Sequence, residues 1–75
     1  MSFEIERKLS KRLRELRKLH ACTQQEVAER AGLDYKHIQL LESKHPPSAR
    51  IETLDKIAKA FRMTVAELLD FSKKR

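Results

Sequence analysis

The chain has 75 residues, enough for one domain whose core is small and whose stability is modest. Seventeen Lys and Arg against eleven Asp and Glu give a formal charge of +6, which favours nucleic acid or an anionic membrane as partner. A single cysteine excludes an internal disulfide, and no apolar run approaches the roughly 18 residues of a membrane span.

A charged N-terminus is no signal peptide, and one unpaired cysteine fits a reducing compartment. A soluble, cytoplasmic protein is expected. Charge alone leaves a plainer alternative open, a salt-laced helical protein with no nucleic-acid role.

From Phe3 to Leu19, the residues Ile5, Leu9, Leu13, Leu16 and Leu19 recur at helical spacing and predict a first amphipathic helix. Its polar face carries Arg7, Lys8, Lys11, Arg12, Arg14 and Lys18. That face is mostly solvated, and part of it can approach phosphates. His20, Ala21 and Cys22 make the connection onward. One Cys with scattered His37 and His45 offers no metal-ligand spacing, so no metal or other cofactor is expected. Cys22 reads instead as a small buried hydrophobe stapled onto Val27.

The stretch 23–42, TQQEVAERAGLDYKHIQLLE, organises the rest. Thr23 followed by Glu26 is a capping box, in which each residue's side chain satisfies the other's backbone N–H. Val27, Ala28 and Ala31 line one face, and Gly32 can take the left-handed backbone that stops the helix. Asp34 is a good N-cap for a following helix that turns Ile38 and Leu41 inward. At about 100° per residue, Ile38, Leu41, Glu42 and Asp34 point to the domain body. Lys36 and Leu40 lie opposite, flanked by His37, Gln39, Ser43 and Lys44.

Pro46 and Pro47 remove two amide donors, so this helix must end before them. Ser48 or a neighbour is expected to cap a fourth helix through Phe61, with Ile51, Leu54, Ile57, Ala58 and Phe61 as its apolar set. Thr64 and Glu67 form a second capping box, with Met63 stapled onto Leu68. A short fifth helix from Val65 to about Phe71 follows, then a basic tail over 72–75. No strand pattern, repeat or low-complexity tract is present. The reading is all-α, a five-helix domain over 1–75.

Gln24, Ala28, Gly32, Ile38 and Leu41 stand at the first, fifth, ninth, fifteenth and eighteenth positions of the helix-turn-helix of lambdoid phage repressors and Cro. The chain resembles that family over roughly 9–71, including its last two helices. Residues 1–8 look like an N-terminal extension of the first helix. The resemblance implies a compact repressor-like fold and a transcriptional regulator that binds palindromic double-stranded DNA as a homodimer. Its base-reading positions map onto Tyr35, Lys36 and Leu40, and its phosphate-contacting glutamine onto Gln24. Gln39 is a further groove-edge candidate, while His37, Ser43 and Lys44 are candidates for phosphate.

The resemblance also pairs Arg17 with Glu42 as a structural salt bridge. It implies a glycine two residues after Glu42, where this chain has Lys44. The leftover apolar residues Met63, Val65, Leu69 and Phe71 are candidates for a dimer interface, or else they cap the monomer core. Nothing in the chain supplies an acid–base pair, an activated nucleophile or a glycine-rich phosphate loop, so no enzyme is expected. The alternatives are an antitoxin of a toxin–antitoxin pair, which also binds a protein partner, and the controller protein of a restriction–modification operon.

Overall fold

A computed structural model describes residues 4–71. The described residues form five helices and no strand: α1 (Glu4–His20), α2 (Gln24–Ala31), α3 (Tyr35–Leu41), α4 (Ile51–Ala60) and α5 (Val65–Leu68). Phe3 and the basic tail 72–75 lie outside the described residues.

Leu9, Leu13 and Leu16 are the buried stripe of α1, spaced three and four residues apart. They meet Val27, Ala28 and Ala31 of α2, Ile38 and Leu41 of α3, and Leu54, Ile57, Ala58, Phe61 and Leu68 in one core. Leu13, Ile38, Leu41, Ile57 and Leu68 are its fully buried large side chains. α2 is central, packed against both α3 and α4, while α1 lies against α3 and α5 against α4.

The stripe is shorter than its sequence period suggests. Ile5 and Leu19 are 60% and 70% exposed, because the helices packed on α1 are too short to cover both ends of a 17-residue rod. The fourth helix also departs from expectation. Arg50, not Ser48, occupies its N-cap position, with no side-chain hydrogen bond. Ser48 Oγ instead donates to Glu6 Oε2 at 3.0 Å, and Ile51 is 78% exposed. The fifth helix stops at Leu68, short of Phe71.

Three of the four joints between the described helices repeat one device. Ala21 N–H donates to Lys18 O and Cys22 N–H to Arg17 O, the paired bonds of a Schellman ending with Ala21 left-handed (φ 52°). Gly32 ends α2 the same way (φ 69°), and Arg62 ends α4 the same way (φ 59°). After Ala21 and Arg62 the chain runs through Cys22-Thr23 and Met63-Thr64 into a capping box. In each box, Thr Oγ1 accepts from the Glu N–H at 3.1 Å and the Glu carboxylate accepts in return at 2.8 and 2.9 Å.

Candidate nucleic-acid interface

α2 and α3 are joined by Gly32, Leu33 and Asp34. Ile38 and Leu41 seat α3 in the core, which leaves Tyr35, Lys36, Gln39 and Leu40 exposed on its outer face and His37 half-buried beside them. Asp34 occupies the N-cap position of α3, with its backbone carbonyl accepting from His37 and Ile38 N–H. Its side chain makes no capping bond and is exposed, not turned to the domain body.

Glu42, just past α3, is the fulcrum of the arrangement. Arg17 Nε donates to Glu42 Oε2 at 2.7 Å and Arg17 Nη2 to Oε1 at 2.8 Å. Gln24 Nε2 adds a third bond to Oε1 at 3.1 Å. The carboxylate is thus shared by α1, α2 and α3, and its side chain is only 3% exposed. Accepting hydrogen bonds from Arg17, it raises the guanidinium above the ordinary arginine range. Partial burial opposes that rise, and attraction to the Glu42 charge reinforces it. Gln24 therefore helps hold α3 in place as well as lying at the start of α2.

Two residues with no assigned role in the sequence reading complete this support. Arg14 Nη1 donates to the Glu42 carbonyl at 2.8 Å and to Ser10 Oγ at 2.8 Å. Ser10, 2% exposed, donates in turn to the Ser43 carbonyl at 3.2 Å. Ser43 Oγ donates to Leu40 O at 2.6 Å. With Lys44 in place of a glycine, no left-handed residue ends α3. Side chains from α1 accordingly bond the carbonyls at and beyond that helix end. The signal for this in the sequence is weak: a serine on the apolar side of α1, one residue from Leu9.

Arg12 leaves the solvated face as well. Its Nε donates to Leu68 O at 3.0 Å and its Nη2 to Glu67 O at 2.8 Å, holding the end of α5. Arg7, Lys8, Lys11 and Lys18 remain exposed. Arg7, Lys11 and Arg14 line an open cleft of about 620 Å³ that is continued by Ser43, Lys44 and His45 beyond α3. A second hollow of about 530 Å³ lies between the starts of α2 and α3, with Gln24, Gln25 and Tyr35 on its wall. Gln25 carries no helical-face signal that singles it out in the sequence.

Cys22 is buried, accepting from Arg30 Nη1 at 3.1 Å. The described residues contain no group of three or more His, Cys, Asp or Glu that could hold a metal ion. Among them, no helix is long and apolar enough to cross a membrane. Met63, Val65, Leu69 and Phe71 are each partly buried against the core.

A family model for the Cro/C1-type HTH DNA-binding domain matches residues 12–74. No curated protein and no solved structure gives a significant match.

Proposed function

Because the chain belongs to the Cro/C1-type helix-turn-helix DNA-binding family, we propose that it regulates transcription by binding a palindromic operator as a homodimer. Each copy lays α3 in the major groove, where the N-terminal part of a recognition helix meets the base edges. Tyr35, Lys36, Gln39 and Leu40 read bases, and His37, Ser43 and Lys44 contact phosphate. Gln24 adds a phosphate contact at the start of α2, where the free amides of a helix N-terminus favour an anion.

The observation that carries this reading is the division of α3 into two faces. Ile38 and Leu41 are 1% exposed, while four side chains able to touch bases stand outward. Three polar partners from α1 and α2 hold the helix end that this face depends on. A reading helix must be rigid, because each base contact needs an ångström-scale register.

Selection from a randomised duplex pool, followed by titration of the recovered sequence at two salt concentrations, tests the proposal. The expected site has half-sites roughly 34 Å apart centre to centre, one helical turn. Affinity falls steeply with salt as neutralised phosphates release counterions. Recovery of no preferred sequence, with weak binding indifferent to salt, overturns the regulator reading.

A further inference from the structure

We infer that Arg7 and Lys11 on α1 form a further binding site for backbone phosphate, in the cleft they share with Lys44, whose phosphate contact is proposed above. The inference rests on the reading that this chain binds duplex DNA, and it extends the contact surface from the recognition helix onto the first helix.

Arg7 and Lys11 are four residues apart on α1, hence on one face, and both line the cleft with Lys44. All three are exposed, and none makes an ion pair among the described residues. The carboxylate in the cleft wall, Glu42, is occupied on both oxygens by Arg17 and Gln24 and is nearly sealed from solvent. It is therefore poorly placed to neutralise the cations at the rim. Arg14 sits between them with one nitrogen committed to Ser10 and the Glu42 carbonyl, so it braces the wall and adds charge to it. The cleft opens where α3 ends. On the proposed docking of α3, the cleft lies beyond the end of the face that carries Gln39 and Leu40, where a phosphate backbone can reach it.

An open cleft lined by Arg7, Lys11, Arg14 and Lys44, with no apolar residue in its wall, suits a phosphodiester chain, which offers charge at regular intervals and no demand for a shaped pocket. It gives affinity without sequence preference.

The test compares wild type with Arg7→Gln and Lys11→Gln, neither of which removes a helix-capping bond. Lys56→Gln on α4, outside the cleft, is a control for net charge. Each protein is titrated against the selected duplex and against a scrambled one between 50 and 200 mM salt. Each cleft variant should lose about 3.5-fold less affinity than wild type across that range, the effect of one fewer phosphate contact at a slope of about 0.9 per phosphate. The change should be equal on both duplexes, with unfolding midpoints unchanged and the control matching wild type. A wild-type slope in both cleft variants overturns the inference, as does an equal change in the control. If wild type prefers no sequence, the operator reading fails, and the slopes on scrambled duplex still decide the cleft.

Discussion

Glu42 shows how one side chain's environment sets its worth. An exposed ion pair contributes about 0–1 kcal/mol, whereas breaking a buried one costs about 3–5 kcal/mol because a charge is left unpaired. With Arg17 24% and Glu42 3% exposed, the pair lies between, nearer the buried case. Glu42→Ala and Arg17→Ala should each destabilise by about 2–4 kcal/mol in chemical denaturation. Their double mutant should lose at least about 1 kcal/mol less than the sum. Strict additivity would mean that the two charges act independently. Because the Arg17 cation is raised above its ordinary range, its contribution is full below the unfolded arginine value and is lost only as pH climbs through the still higher folded one. Loss of the pair should not appear on titrating from neutral to moderately alkaline pH.

Leu40 poses the opposite question, since an apolar side chain half exposed on the outer face of α3 cannot hydrogen-bond a base. It can pack on the C5-methyl of thymine, and Lys36, one turn earlier, can donate to guanine O6 or N7. Leu40→Ala should weaken binding to the selected site by roughly 1 kcal/mol and spare non-specific binding. Replacing the contacted thymine by uracil removes the same methyl, so the two changes should not add. If uracil has no effect at any thymine of the half-site, Leu40 has no part in readout.

At the scale of elements, three helices end on a left-handed residue, and only one of these is glycine. A Cβ at Gly32 would meet nothing within 4 Å, so glycine is favoured there by φ alone. The left-handed conformation costs an ordinary residue about 1–2 kcal/mol, offset in part by the extra freedom glycine brings to the unfolded chain. Ala21→Gly and Arg62→Gly should therefore each stabilise by about 0.5–1 kcal/mol, and Gly32→Ala should destabilise by a similar amount with the fold retained. Thermal unfolding of the three variants checks the signs. A destabilising Ala21→Gly would show that its methyl makes contacts worth more than the backbone strain.

α1 also acts as a strap, through Arg12 at the end of α5 and through Arg14 and Arg17 at the end of α3. Short helices of seven and four residues are not stable by propensity, so their ends must be held from outside.

For the whole molecule, the apolar set of α5 and its flanks bears on assembly. Met63, Val65, Leu69 and Phe71 are neither sealed in the core nor fully exposed, so each has surface left for a partner. We propose that part of this set meets its copy across the two-fold axis of the homodimer; the alternative is that it only caps the monomer core. Phe71→Asp should sediment as a monomer with wild-type helical circular dichroism and reduced operator affinity. A folded variant that dimerises like wild type removes Phe71 from the interface.

Much of this protein is written in local chemistry. The threonine–glutamate boxes, the glycine turn and the 3.6-residue stripes act within one or two helical turns, so five helices and the two faces of α3 follow from the linear order of residues. The same locality explains the errors. Periodicity assigns Ile5, Leu19 and Ile51 to a core that does not extend far enough to cover them, and a serine before α4 reads as a cap when its hydroxyl is taken by Glu6, 42 positions away. Which cations are free is not a local property at all. Arg12 and Arg14 look like neighbours of Arg7 and Lys11 on one polar face. Only folding, by bringing the ends of α3 and α5 against α1, turns the first two into structural donors and leaves the other two in an open cleft. The reason is that a hydrogen-bond partner 28 or 56 residues distant exerts no influence on the chain until the core has closed.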